Sequence, residues 1–246
     1  MRTATTSSNR VRTGQISPPA ADERSCPCSA PRRWVSIDVG TKNLAYCTLD
    51  VFGANEAVVI RDWNVVSLMD ASHTAEAADE GERKPKRGPS KPSLIEIGVC
   101  LKRRFDGLGM NRAGIDGVII ENQIAPIASN MKSLQCMIMQ YFVMNSVENV
   151  HFIPATAKLK HAIEASRSVL GETNDASSKK TRPGYKERKK IGVDLCRRAL
   201  KLLEKDEGHW SVFFEKHRKK DDLADAYIQA LAFFNVNLAQ NNILTV

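Results

Sequence analysis

The chain has 246 residues, a length typical of one domain with tails or insertions. Hydrophobic residues make up 42% of it, enough for a core, and no apolar run of about 18 residues is present that could span a membrane. Lysine and arginine outnumber aspartate and glutamate by 36 to 28, so the net charge is +8 and the pI is about 9.2. This surplus suggests a polyanionic partner.

Residues 1–33 are rich in Ser, Thr, Arg and Pro and are predicted to form a disordered tail. The tail has no acidic residue before Asp22, which is also typical of organellar transit peptides. Of six cysteines only Cys26 and Cys28 lie close together, without the second pair that a zinc site needs. No secretory segment is visible, so an intracellular, reducing compartment is expected.

The folded domain is predicted to cover residues 34–240. Its first part contains three strands in succession, over RWVSIDVG, NLAYCTLDVF and EAVVIRDWNVV, which indicate an antiparallel meander. The charged segment 70–93 is predicted to be a flexible insertion. An amphipathic helix over SLIEIGVCLKRRF and a short buried strand in GIDGVIIENQ come next.

The second part alternates helices with one more strand. A helix that is apolar nearly all round covers NMKSLQCMIMQYFVMNSV, and a strand follows in VHFIPA. A short helix over TAKLKHAIEA and a second flexible insertion at 171–184 precede a long basic helix over YKERKKIGVDLCRRALKLLEK. The last helix begins in KKDDLADAY. This order predicts an α/β layer fold with a mixed sheet of five strands.

Acidic residues stand at the ends of three of these elements. Asp38 ends the first strand and Glu121 ends the buried run of the fourth. Asp222 and Asp225 lie three residues apart at the start of the last helix, where like charges repel unless a partner such as a divalent cation is present. Each acid is ordinary by itself, since acids are common in turns and in first helical turns. Asp221 is interpreted as such a helix-start residue.

Four motifs, SIDVGTKN, IIENQ with SNMKSLQ, YKERKK and KKDDLADAY, together resemble those of the poxvirus-type Holliday junction resolvases. These enzymes form part of the RuvC-like branch of the ribonuclease H fold and have fungal mitochondrial relatives. The resemblance covers residues 34–237. It implies a ribonuclease H-like fold and an endonuclease that makes paired symmetric nicks in four-way DNA junctions, in recombination or in the resolution of replication concatemers.

The resemblance also implies which residues form the site. The catalytic and metal-binding acids correspond to Asp38, Glu121, Asp222 and Asp225, which are expected to hold two Mg²⁺ ions, with Mn²⁺ as a substitute. Basic residues of the long helix, together with one in the first turn and one after the second acid, are expected to contact DNA phosphates. These candidates are Lys42, Lys132, Lys186, Arg188, Lys189 and Lys190.

The expected assembly is a homodimer on branched DNA, because resolving a two-fold symmetric junction needs two nicks. The methionine-rich helix offers Met131, Met137 and Met144 to a partner. A virus replication site in the host cell is the expected location, with the mitochondrion as the alternative.

Three other functions remain open. The turn DVGTKN also resembles the phosphate loop of actin- and Hsp70-like ATPases, which share the fold. A nuclease for other branched or hybrid nucleic acid, or a DNA-binding module without catalysis, would use the same fold too.

Overall fold

A computed structural model describes residues 30–53, 57–69, 92–123, 129–156, 184–203 and 208–236. Most of the predicted tail and of both predicted insertions, and nearly all of the short helix predicted in TAKLKHAIEA, lie outside these residues. The elements are, in chain order, β1 (Arg32–Asp38), β2 (Leu44–Phe52), β3 (Ala57–Val66), α1 (Leu94–Gly107), β4 (Gly117–Asn122), α2 (Ser129–Met144), β5 (Val150–Pro154), α3 (Tyr185–Leu203), α4 (His209–Lys216) and α5 (Lys220–Phe233).

The strands form one mixed sheet in the order β3-β2-β1-β4-β5. Strand β2 pairs antiparallel with both β1 and β3, and β4 pairs parallel with both β1 and β5. Short turns allow the antiparallel pairs, whereas the helices between β3, β4 and β5 allow the parallel crossovers. The predicted meander and the predicted five-stranded mixed sheet are confirmed. Within the described ranges, no helix combines the length and apolar character needed to cross a bilayer.

The alternation of side chains along the strands divides the core into two clusters. Ile37 belongs to the cluster that packs with α1 and α2, and Trp34 to the one that packs with α3, α4 and α5. Asp38 follows Trp34 by four residues and therefore lies on the second face. On β4, Ile119 belongs to the second cluster, and Glu121 follows it by two residues. Both strand acids thus lie on the face that α5 covers.

Helix α2 packs on the opposite face of the sheet and buries Ile138 completely. Of the three methionines expected to be offered to a partner, Met144 is 76% exposed. Met131 and Met137 are partly buried against the core, with Met137 beside Gly98 of α1. The apolar surface on this face also includes Ile95 of α1, which is 79% exposed and was not predicted to belong to it.

A buried carboxylate joins the first three strands at the end of the sheet away from Asp38. Asp50 is 2% exposed and accepts hydrogen bonds from Nε of Arg33 at 2.8 Å and from Nε of Arg61 at 2.6 Å. Because Arg33 is held in this way, β1 begins at Arg32, inside the segment predicted to be a disordered tail.

We expect Asp50→Asn to lower the free energy of unfolding at neutral pH by about 2 kcal/mol, because hydrogen bonds to a charged group are lost. Burial opposes the charge of Asp50, but the bonds from Arg33 and Arg61 outweigh it and hold the pKa below its usual value. Such stability is present above the unfolded-state pKa and is lost as the pH falls through the folded-state pKa. Urea unfolding between neutral pH and about pH 3 measures it. If acidification lowered the free energy of unfolding by the same amount in Asp50→Asn and in wild type, this account would be contradicted.

Candidate active site

The four predicted acids line one cavity of about 450 Å³. It lies where β1 and β4 end and α5 begins. Its lining includes Asp38, Glu121, Asp222 and Asp225, and further residues come from α3 and from the segment after β5. Side chains that are up to 187 positions apart in the chain (Asp38 to Asp225) thus share one space.

The convergence follows from the strand register. Strands β1 and β4 pair in parallel up to the residue before each acid, so Asp38 and Glu121 leave the same end of the sheet side by side. Asp222 and Asp225 are three residues apart on α5 and therefore share one side of that helix. The packing of α5 against β1 and β4 brings the helical pair over the strand pair.

The surroundings of Asp222 disfavour its ionised form. Its Oδ2 is buried and has no hydrogen-bond partner among the residues that the structure describes. Burial raises the pKa of Asp222, and the charges of Asp221 and Asp38 raise it further, against the opposing charges of Lys219 and Lys189. A cation beside these oxygens would stabilise the ionised carboxylate.

The donor set fits a hard cation. Buried Oδ2 of Asp222 needs a positive partner, and the predicted ligands are all carboxylates, which Mg²⁺ prefers. In the described ranges, no three His, Cys, Asp or Glu side chains converge closely enough to enclose one ion by themselves. That arrangement still suits Mg²⁺, which takes only one or two carboxylates and completes its shell with water and phosphate oxygens.

Two of the predicted DNA-binding residues, Arg188 and Lys189, line the same cavity. Lys189 donates a hydrogen bond to Asp221, and its Nζ lies 5.0 Å from the centre of the Tyr185 ring. The bond to Asp221 raises the pKa of Lys189 above its usual value. Lys189 is therefore a fixed positive charge at the wall of an acidic cavity.

The other predicted basic residues lie outside the lining. Lys186 and Lys190 are exposed on α3, and Lys42 is exposed in the turn after β1. Lys132 is half-buried on α2 and donates to Oδ1 of Asn122 at 3.1 Å. Their contacts with DNA stay predictions.

Charged residues that were not predicted to belong to the site also act on it, among them Asp221 and Lys219. Asp221 was interpreted only as a helix-start residue, but it also accepts the hydrogen bond from Lys189. Lys219 is the N-cap residue of α5 and lowers the pKa of Asp222. With the side-chain amide of Asn43 in the orientation that satisfies its hydrogen bonds, Nζ of Lys219 donates to it at 3.2 Å. Both residues belong to the run KKDD at 219–222, whose adjacent opposite charges were the signal in the sequence that they could take part in the site.

Residues 35–123 match the family model described as mitochondrial resolvase Ydc2 / RNA splicing MRS1. The resemblance to the resolvases is confirmed. The matched segment contains Asp38 and Glu121 and ends before α5 with Asp222 and Asp225.

The crystal structure of the yeast mitochondrial Holliday junction resolvase Ydc2 is 17% identical to this chain, with a TM-score of 0.52, and the match covers 86% of this chain and 82% of the yeast chain. It shows that the fold is ribonuclease H-like, as predicted. The fowlpox virus resolvase in complex with Holliday junction DNA is 15% identical, with a TM-score of 0.48 and coverage of 87% and 99%.

A relative from Acanthamoeba polyphaga mimivirus, described as uncharacterized protein L451, is 28% identical over 150 residues. The match covers 56% of this chain and 34% of the mimivirus protein, so it spans about a third of that relative's length.

Proposed function

We propose that the chain is a metal-dependent endonuclease that cuts four-way DNA junctions. The observation that carries the proposal is the gathering of four carboxylates from β1, β4 and α5 in one cavity beside a fixed lysine. The resolvase-type fold and family match support it. A protein that only bound DNA would gain nothing from clustered negative charge facing a phosphate backbone.

In this proposal Asp38, Glu121, Asp222 and Asp225 hold Mg²⁺, as two ions, with Mn²⁺ as a substitute. When bound, the metal lowers the pKa of the attacking water and stabilises the leaving oxygen of the phosphodiester. The chain's own basic groups bring the substrate to that place. Lys189, kept charged by Asp221, attracts the scissile phosphate. Arg188, in the same wall, offers a planar fork of donors to phosphate oxygens.

The exposed lysines of α3 extend this interface in the proposal. We expect a Lys186→Ala/Lys190→Ala variant to bind junctions more weakly, with the slope of log K against log salt reduced by about one unit for each lost phosphate contact. Fluorescence anisotropy of a labelled junction over a salt series measures the slope. Arg112→Ala is the matched control, because Arg112 is exposed at the opposite end of β4 from the cavity. A slope that matches the control would place α3 outside the interface.

The proposed assembly is a homodimer through the face formed by α1 and α2. This face exposes large apolar side chains that the core does not use, among them Ile95 at 79% and Met144 at 76%. A symmetric pair would place one active site on each of two opposing strands of a junction.

A synthetic four-way junction, incubated with and without Mg²⁺, tests the function directly. We expect paired symmetric nicks that depend on Mg²⁺ or Mn²⁺, and far slower cutting of a plain duplex of the same sequence. Faster cutting of a flap or of an RNA–DNA hybrid would support a different nuclease of this fold. Binding without cutting would support a nucleic-acid-binding protein, and ATP hydrolysis would support the ATPase.

The proposed setting is the site where viral DNA is replicated, and the mimivirus relative supports it. A mitochondrial setting is the alternative, and the family description supports that one. Four described cysteines are free thiols, which fits the reducing compartment in both cases. Microscopy of the tagged chain in infected and uninfected cells distinguishes the two.

A further inference from the structure

A buried glutamine bridges helix α5 to both central strands. The side chain of Gln229 is completely buried. Its Nε2 lies within hydrogen-bond distance of Oγ of Ser36 at 3.2 Å, the carbonyl oxygen of Ile37 at 3.1 Å and that of Ile119 at 3.3 Å. One amide group therefore contacts β1 and β4, the two strands that end in Asp38 and Glu121, at once.

The bridge lies directly behind the four carboxylates. Its acceptors stand within two residues of Asp38 on β1 and of Glu121 on β4. Gln229 itself follows Asp225 by four residues and Asp222 by seven, so it shares their side of α5. A shift of α5 along or around its axis would break the bridge and separate the helical acids from the strand acids.

Among the described residues, only the Nε2 half of this amide has hydrogen-bond partners. Within the described residues nothing donates to Oε1 of Gln229, although this oxygen is buried. A buried acceptor without a donor is unfavourable, whereas an apolar side chain of similar volume avoids that loss. The residues on either side, Ile228 and Ala230, are buried and apolar. Packing alone would favour a third apolar residue between them.

We infer that Gln229 is a positioning residue, whose amide holds the helical carboxylates in register with the strand carboxylates. The inference rests on the proposed metal-dependent function and concerns the geometry of that same site. Groups behind the ligands of a metal set the orientation of those ligands, and their loss lowers metal affinity or activity by about 10- to 100-fold.

Gln229→Met tests this, because it keeps the length of the side chain and removes the donors together with the unpaired acceptor. Binding of Mn²⁺ to the full chain without DNA is measured by electron paramagnetic resonance. We expect the Kd for Mn²⁺ to rise about tenfold, with a thermal midpoint within about 4 °C of wild type. Leu231→Ala is the control: Leu231 is fully buried on the other side of α5, so its truncation should lower the midpoint further and leave Mn²⁺ affinity unchanged.

An unchanged Mn²⁺ affinity in Gln229→Met would overturn the inference, and so would a loss that follows the thermal midpoint equally in both variants. If Gln229→Met does not fold, Ser36→Ala takes its place, because it removes only one of the three acceptors of Gln229. We then expect a smaller loss of Mn²⁺ affinity. An unchanged Mn²⁺ affinity in Ser36→Ala would overturn the inference. Failure of the proposed function looks different. In that case the wild-type chain binds Mn²⁺ in the cavity but leaves four-way junctions intact.

Discussion

We expect Asp38→Asn and Asp225→Asn each to abolish junction cleavage, with a rate loss of at least about a hundredfold, while junction binding without divalent metal stays equal or becomes tighter. Each change removes a ligand charge from the cavity that the two acids share with Glu121 and Asp222. In the metal-free protein it also removes a negative charge near the DNA phosphates, which strengthens the attraction between protein and DNA.

Single-turnover cleavage of a labelled junction at saturating Mg²⁺, together with a binding titration in EDTA for each protein, checks both parts. Glu121→Gln belongs to the same series and is expected to behave alike. Glu148→Gln is the matched control, since Glu148 is exposed before β5, at the end of the sheet opposite to the cavity. A variant of the series that cuts at the wild-type rate would remove that acid from the catalytic set.

An Ile95→Glu/Met144→Glu variant is expected to be monomeric and to make single, unpaired nicks. Both residues are more than three-quarters exposed on α1 and α2, and a charge buried in an apolar interface opposes association. Light scattering at micromolar concentration should give the chain mass of 27.3 kDa for the variant and twice that mass for wild type. Nick positions on both strands of a mobile junction show whether the cuts are paired.

Val212→Glu is the control for this change. Val212 is an apolar residue on α4, 51% exposed, in the layer on the other face of the sheet. It should leave both the mass and the paired nicks unchanged. A wild-type chain that is monomeric would refute the proposed dimer, and a dimeric Ile95→Glu/Met144→Glu variant would place the interface elsewhere.

Strands were well predicted because their signal is local. The first strand was correctly predicted to end at Asp38, and the apolar run of β4 correctly ended near Glu121. Helix α4 had no such signal. It has eight residues, and its N-cap is Gly208, which has no side chain to cap it. A helix that short depends on tertiary packing, here of Phe214 in the core.

The partners of the candidate site could not be predicted in the same way. Lys189 and Asp221 are 32 positions apart, and only the packing of α3 beside α5 brings them together. Nothing in the sequence separated the four basic residues of α3 from one another. In the structure Arg188 and Lys189 line the cavity, whereas Lys186 and Lys190 are exposed outside it. The bridge from Gln229 is likewise invisible along the chain, because its acceptors lie 110 and more positions away.

The sequence by itself determined the strands and most of the helices, and the four acids as candidates through their motifs. These properties depend on the order and period of residues within one element, which the chain displays directly. The tertiary structure alone decided which basic side chains meet the acids and that the amide of Gln229 contacts both β1 and β4. It also decided that Asp222 has a buried oxygen with no donor in the part of the chain that the structure describes. Those properties depend on distances between elements, and the packing of both faces of the sheet sets these distances.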